Sequence, residues 1–270
     1  MTVTSLHERF PEVLRPVLDD YLAQVDTHLP DLLTSFYVVG SLALDGFNEK
    51  YSDIDFVAVL THSVEPAEID ILREIHHRVE KTAPRWKLSG SYLLVGDLGR
   101  PKGEVTPRPY YHDSRMHPAG RFELNPITWW TLKNHGIALR GLELQELPFE
   151  VDWEGLLAWT RQNLNTYWAS WARRVDGFLV LLTDWGIQWT VLGVLRQYYT
   201  LRENSITTKV KAGKYALDCL PERWHQLVQE ALNIRLGKKG SAYRWGLGRA
   251  SEATRFLRYI IRTCNAGCKE

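Results

Sequence analysis

Residues 36–60 constrain the fold of this chain more than any other stretch. An apolar run over 36–39 ends at Gly40-Ser41, and a second apolar run begins with Asp53-Ile54-Asp55 and continues to residue 60. Both runs are rich in aromatic and β-branched residues, which predicts two buried strands. Because side chains alternate along a strand, we expect Asp53 and Asp55 on one face, roughly 6–7 Å apart, and Ile54 in the core.

The two carboxylates and the Gly-Ser pair predict phosphate chemistry. Neighbouring carboxylates repel each other, and a divalent cation removes that repulsion; Mg²⁺ favours one or two carboxylates together with substrate phosphates. Gly40 lets the backbone approach a phosphate, and Ser41 adds a hydroxyl and an amide. Asp53 and Asp55 are therefore predicted as catalytic metal ligands, and Gly40 and Ser41 as nucleotide-binding residues. The alternative is a solvated strand end, the common meaning of a lone Asp-x-Asp pair.

The spacing of these motifs is more specific than either motif alone. Gly-Ser is followed by eleven residues, then by Asp-x-Asp leading into Phe-Val-Ala-Val-Leu. This stretch resembles the signature of the DNA polymerase β-like nucleotidyltransferase superfamily. The resemblance implies a nucleotidyltransferase fold in the N-terminal part of the chain.

The same resemblance implies a third carboxylate on the next strand, as a metal ligand or as a general base. Residues 88–98 predict that strand, and the match places Ser89, or alternatively Ser91, where the acid is expected. Neither hydroxyl is a base at neutral pH without a partner. Residues 99–123, rich in Pro, Gly, Arg and His, predict a long functional loop. Four acids in or beside this loop could replace the missing one: Asp97, Glu104, Asp113 and Glu123.

Helical spacing accounts for much of the remaining sequence. Residues 4–28, which include Leu6 and Phe10, predict an opening helix that breaks or starts late at Pro11 and Pro16. Residues 66–82 predict a second helix. His76 and His77 on it could be ligands, but we expect them at the solvated surface. Residues 127–134 predict a short helix and 137–142 a short strand. Beyond residue 153 five segments have helical spacing: 154–174, 188–203, 207–219, 221–235 and 250–263, with breaks expected at Gly177, Gly186, Pro221 and 237–240.

Eleven tryptophans and twelve tyrosines are the main oddity of the composition. Most of those in the helical half are expected in the core of a bundle. One or two could instead stack on a base or a sugar ring. The residues concerned are Trp159, Trp168, Trp171, Trp185, Trp189, Tyr198 and Tyr199.

The combination of domains narrows the resemblance. An N-terminal Gly-Ser…Asp-Ile-Asp domain followed by an all-helical domain is similar to the aminoglycoside adenylyltransferases of the streptomycin/spectinomycin type. Residues 208–221 resemble the lysine-containing helix of that group, which ends in Leu-Pro, and residues 256–259 resemble its closing helix. The expected fold class is α+β: a nucleotidyltransferase domain over 1–148, with a small mixed sheet flanked by helices, and a helical bundle over 149–270.

The resemblance implies transfer of AMP from Mg·ATP to a hydroxyl of an aminoglycoside, with the nucleotide between the domains. By position, Lys209 and Tyr259 are implied to contact the nucleotide. Lys209 and Lys211 can also be a basic helix face. Lys214 stands where an acidic drug contact is expected, which disfavours streptomycin as the acceptor. The alternative function is a nucleotide-binding or sensing protein that has lost the third carboxylate.

Charge and cysteine content indicate which macromolecular partners and which covalent cross-links to expect. With 33 basic and 32 acidic residues the net charge is +1, so neither a nucleic-acid nor a membrane partner is expected. Three cysteines are too few for a disulfide framework, and Cys264 and Cys268 are expected to be an incidental pair. No apolar run reaches about 18 residues and no signal-peptide pattern is present, so we expect a cytoplasmic protein. The expected oligomeric state is a monomer or a weak homodimer.

Overall fold

The computed structural model describes residues 11–266, which divide into two compact units. The first unit consists of residues 11–47 and 52–152, and the second of residues 48–51 and 153–266. Leu6 and Phe10 of the predicted opening helix, and Cys268, lie outside the described residues. No helix between residues 11 and 266 combines the length and the apolar content needed to span a bilayer.

The first unit is built on a six-stranded mixed sheet with the spatial order β5-β4-β3-β2-β1-β6. Strands β2 and β3 are parallel, and the other neighbouring pairs are antiparallel. A parallel pair requires a crossover connection, which is supplied here by the helix between β2 and β3. The strands are β1 (Leu33–Val38), β2 (Ile54–Leu60), β3 (Leu88–Leu94), β4 (Arg108–His112), β5 (Arg115–Gly120) and β6 (Ile137–Arg140).

Among the described residues of the first unit, the α-helices are α1 (Arg15–His28), α2 (Gly40–Ala43), α3 (Pro66–Thr82) and α4 (Pro126–His135). Pro16 lies in the first turn of α1, where its missing N–H costs nothing, so the late start that the prolines suggest is confirmed for the described part. Helix α3 has the predicted bounds. Its start is fixed by a capping box, in which Glu65 and Glu68 exchange side-chain-to-backbone hydrogen bonds.

The sheet is apolar on both faces. Phe56, as expected, packs in one core together with residues of α1 and α3 such as Tyr21 and Leu72. Val57, one position further along β2, packs in a second core together with Trp129 of α4. Because β2 is covered on both sides, its sequence is an almost continuous apolar run.

Two predictions for the first unit are wrong. Residues 99–123 are not one loop, since β4 and β5 form a hairpin whose two turn residues, Asp113 and Ser114, have φ of 49° and 57°. Both central residues at positive φ are the signature of a tight type I′ turn. His76 is fully buried instead of solvated: its Nε2 lies 2.6 Å from the Tyr92 hydroxyl, and its ring stacks 3.7 Å from that of Tyr111. His77 is exposed, as predicted.

The second unit is helical, which confirms the predicted α+β class. Residues 164–168 form a π-helical segment directly after α5. Neither predicted glycine interrupts a helix. Gly177 lies inside a short helix, and Gly186 lies in the first turn of a long helix. The helices are α5 (Trp153–Asn163), α6 (Ala169–Trp171), α7 (Val175–Val180), α8 (Asp184–Glu203), α9 (Lys209–Cys219), α10 (His225–Arg235) and α11 (Gly246–Asn265).

The predicted aromatic core of the second unit is only partly correct. Trp168 and Tyr198 are buried, whereas Trp185 is 48% exposed. The other predicted aromatic residues are half-buried, and several of them contact one another at the surface; Trp189, for example, stacks on Trp185 at 5.4 Å. The core itself is mainly aliphatic, centred on residues of α8, α10 and α11.

Candidate active site

The Gly40-Ser41 turn lies directly against the carboxylate of Asp55. Gly40 has φ of +65°, the left-handed conformation that glycine adopts without strain. A methyl group on its Cα would lie 2.0 Å from Asp55 Oδ2, far inside contact distance. The backbone N–H of Val39 donates to Asp55 O at 2.9 Å, which holds the end of β1 in register with β2. The structure thus brings Gly40 and Asp55 together, as their spacing predicts.

Asp53 and Asp55 occupy different environments. Asp53 is exposed and precedes β2, while Asp55 is the second residue of the strand and is half-buried. Ile54 between them is fully buried, so the predicted alternation holds here. The described residues contain no group of three or more His, Cys, Asp or Glu side chains arranged to hold a metal ion. The role of Asp53 and Asp55 as metal ligands stays a prediction.

Ser41 presents a buried polar atom to this turn. Its Oγ is inaccessible to solvent and, among residues 11–266, has no hydrogen-bond partner. Leaving a buried hydroxyl unsatisfied costs about 1–3 kcal/mol. Such an atom beside a close backbone approach is suited to receive an acceptor oxygen from a ligand.

Ser89 lies next to Asp55 on the neighbouring strand. In the parallel pairing of β2 and β3, Asp55 is opposite Ser89, so the two side chains are on the same face of the sheet. Ser89 is buried, and its Oγ lies 3.0 Å from Nδ1 of His112, the last residue of β4. The sequence did not single out His112, because its proximity to Ser89 depends on the register of a hairpin that was not predicted.

Three of the four acids proposed to replace the missing carboxylate have partners other than Asp55, Ser89 and His112. Asp97 is buried and accepts a hydrogen bond from Arg108 Nε at 2.7 Å. Glu104 faces Arg100 at 3.8 Å, and Glu123 accepts from the Asn125 side chain at 2.9 Å. Asp113 lies beside His112, the partner of Ser89: the Oδ2 atom of Asp113 is 3.5 Å from Nε2 of His112.

Lys209 and Tyr259 belong to the second unit. Lys209 is the half-buried first residue of α9, after the N-cap Thr208, whose side chain accepts from Lys211 N. Tyr259 lies in α11 with its ring 5.3 Å from that of Trp224 and 5.1 Å from the Arg223 guanidinium. Their contact with a nucleotide stays a prediction. Lys214 and Lys211 are exposed on α9.

The sequence also gave no signal for Arg235, a buried cation of the second unit. Its side chain donates to Tyr51 O at 3.3 Å, and its own carbonyl accepts from the Asn48 amide at 2.8 Å. Burial, followed by the nearby charge of Arg196, lowers the pKa of Arg235 to about 10. Residues 48–51, which separate Gly-Ser from Asp-x-Asp in sequence, are thereby fixed in the second unit.

Comparison with known proteins gives two findings. Residues 163–263 match the family model described as aminoglycoside adenylyltransferase, C-terminal domain. The chain is also similar to the crystal structure of the spectinomycin adenyltransferase AAD(9) from Enterococcus faecialis with ATP and spectinomycin, with a TM-score of 0.66 at 14% identity. That similarity covers 90% of this chain and 99% of the other. Curated protein sequences give no match.

These findings confirm the resemblance from two independent directions. The family match lies wholly within the helical unit, whereas the structural similarity extends over the sheet that holds Asp55. At 14% identity the structural similarity establishes the fold. Residues 163–263 are therefore similar to the C-terminal domain of aminoglycoside adenylyltransferases, and the chain shares its fold with the spectinomycin adenyltransferase.

Proposed function

We propose that this protein transfers AMP from Mg·ATP to a hydroxyl group of an aminoglycoside antibiotic. The observation that carries the proposal is the close approach of Gly40 to the Asp55 carboxylate, with the buried Ser41 hydroxyl in the same turn. The C-terminal family match supports the class of acceptor.

The donor set at this turn fits a magnesium-bound triphosphate. Asp53 and Asp55 supply two carboxylates, the number that Mg²⁺ uses when phosphates and water complete its shell. When bound, the cation would neutralise charge on the phosphates undergoing substitution.

The residues of the chain have distinct tasks in this proposal. Asp53 and Asp55 hold the metal, and the Gly40-Ser41 turn holds the phosphates through backbone N–H groups and the Ser41 hydroxyl. Lys209 and Tyr259 contact the nucleotide from the helical unit. The acceptor hydroxyl attacks the α-phosphorus in line with departing pyrophosphate, and it gives up its proton as it does so.

Ser89 favours a second candidate function. It stands opposite Asp55, where the resemblance implies a carboxylate, and a serine cannot take a proton at neutral pH without a partner. A protein that binds Mg·ATP without transferring AMP would explain this replacement. We place it second, because both carboxylates at 53 and 55 are retained.

Purified protein, α-labelled ATP and Mg²⁺ with a panel of aminoglycosides that includes spectinomycin and streptomycin separate the two functions. We expect label to appear on at least one drug, together with acceptor-dependent release of pyrophosphate. Asp53→Asn and Asp55→Asn should each abolish transfer and weaken Mg·ATP binding, measured by calorimetry. Glu74→Gln, a change of an exposed acid in the same unit, is the matched control.

The outcomes discriminate sharply. Mg·ATP binding without transfer to any drug would leave the nucleotide-binding function standing. Unchanged Mg·ATP affinity in both aspartate variants would remove the metal assignment.

A further inference from the structure

Three adjacent strands place Asp55, Ser89 and His112 in one row across a single face of the sheet. Asp55 is opposite Ser89 in the parallel pair, and Ser91 and Gly90 are opposite Tyr110 and Tyr111 in the antiparallel pair that follows. Continuing that register by one step puts Ser89 opposite His112. Directly opposed residues in a sheet have their side chains on the same face, so the row is a consequence of strand pairing.

The contacts of His112 favour one of its two neutral tautomers. Nε2 lies 3.5 Å from the Asp113 carboxylate, and Nδ1 lies 3.0 Å from Ser89 Oγ. A carboxylate beside Nε2 favours the tautomer with its proton on that atom. Nδ1 is then an acceptor, and the Ser89 hydroxyl donates to it. The two-residue turn fixes Asp113 next to His112.

Solvent exposure increases from Ser89 through His112 to Asp113. Ser89 is 4% exposed, the His112 side chain 37% and the Asp113 side chain 84%. The ring of Phe122 lies 4.5 Å from that of His112 and covers one side of it. The charged groups facing His112 are Asp113 on its own turn and the exposed Arg115, its register partner on β5.

We propose that Ser89 and His112 form a proton relay that takes the place of the missing carboxylate; this rests on the proposed function. The acceptor hydroxyl transfers its proton to Ser89 Oγ while the proton of Ser89 moves to His112 Nδ1. The acceptor oxygen forms its bond to the α-phosphorus as the bond to pyrophosphate breaks. His112 becomes an imidazolium beside Asp113 and later releases the proton to solvent.

The relay answers the chemical objection to a serine at this position. Serine alone cannot accept a net proton near neutral pH, but a serine hydrogen-bonded to a neutral imidazole passes one on. Asp113 then stabilises the imidazolium. His112 acts through Ser89 and is a positioning and proton-accepting residue, while Ser89 is the group that touches the acceptor.

Single-turnover rates of AMP transfer in a double-mutant cycle test the relay. Ser89→Ala and His112→Gln should each lower the rate by about 10²–10⁴-fold, the usual value of general-base help, with little change in substrate KM. Because the two groups act in series, the Ser89→Ala/His112→Gln double variant should lose no more than either single variant. His117→Gln, a half-buried histidine of the adjacent strand, is the matched control and should keep the wild-type rate.

Two further measurements distinguish proton transfer by His112 from a role of His112 in folding alone. Ser89→Glu should restore the rate of His112→Gln, since a carboxylate at position 89 makes the histidine unnecessary. The pH profile of the rate should also differ between wild type and His112→Gln, because only wild type passes the proton on to an imidazole. Circular dichroism and Mg·ATP binding verify that each variant is folded.

The relay is overturned if wild type transfers AMP and His112→Gln does so equally fast, or if the losses of the two single variants multiply in the double variant. An inactive wild type removes the proposed function and the relay with it. These two failures are distinguishable, because only the first leaves an active enzyme.

Discussion

His76 makes the stability of the first unit depend on pH. Its side chain is fully buried between Tyr111, on which it stacks at 3.7 Å, and the Tyr92 hydroxyl, 2.6 Å from its Nε2. The Tyr92 hydroxyl in turn lies 2.6 Å from that of Tyr21. Burial, reinforced by the charge of His77, lowers the pKa of His76 from 6.5 to about 3. The ring is therefore neutral in the folded protein at every pH near neutrality.

The magnitude follows from the difference between the folded and unfolded pKa values. Between these values the unfolded chain binds the additional proton, so stability is fully present above 6.5 and is lost as the pH falls toward 3. Integrating the difference in bound protons over pH gives the change in the free energy of unfolding: it is lower by about 0.8 kcal/mol at about pH 6 and by about 2 kcal/mol at about pH 5. His76→Phe keeps an aromatic ring in the site but removes the titrating group. We expect that variant to lose this part of the pH dependence.

Hydrogen exchange measured by mass spectrometry on peptides of β3 reports on the first unit alone. The opening free energy should fall by about 2 kcal/mol more in wild type than in His76→Phe when the pH is lowered from about 7.5 to about 5. His77→Phe, at the exposed neighbouring position, should follow wild type. Equal pH dependence in wild type and His76→Phe would contradict the assignment of a neutral buried imidazole.

Three further outcomes are expected from contacts in the first unit. Gly40→Ala should abolish AMP transfer and Mg·ATP binding, since its methyl group would lie 2.0 Å from Asp55 Oδ2, whereas Gly103→Ala, with open space around it, should leave both unchanged in the same assays. Asp97→Ala should destabilise the unit by about 3–5 kcal/mol in urea unfolding, because it leaves the largely buried Arg108 guanidinium without its carboxylate. Glu104→Ala, which breaks an exposed ion pair with Arg100, should cost at most about 1 kcal/mol in that experiment.

The sequence was sufficient to predict the elements whose signals are local. The strands around Gly40 and Asp55 follow from apolar runs, and α3 follows from helical spacing between Pro66 and Pro84. The hairpin of β4 and β5 was missed because Pro, Arg and His dominate its sequence, while its turn depends on Asp113 and Ser114 at positive φ. Within β4, only Tyr110 and Tyr111 are residues that favour a strand.

Burial and partners depend on tertiary packing, and several of these predictions are wrong. His76 lies on the apolar face of α3 with Leu72 and Val79, so its position on the helix indicated burial, but its residue type suggested solvent. Trp185 shows the opposite error, since a large aromatic side chain at helical spacing is 48% exposed. Composition gives the inventory of apolar side chains and does not give the face that each of them occupies.

The candidate site depends on the register of the sheet more than on any single loop. Asp55, Ser89 and His112 lie in one row because β2, β3 and β4 are paired in one particular register. A slip of one residue in β4 would turn His112 to the opposite face and bring a different side chain beside Ser89. Two features oppose such a slip. One is the two-residue turn between β4 and β5, and the other is the ion pair between Arg108, the first residue of β4, and Asp97, which follows β3 in sequence. The relay that we propose for Ser89 and His112 therefore requires a sheet that holds this hairpin in place.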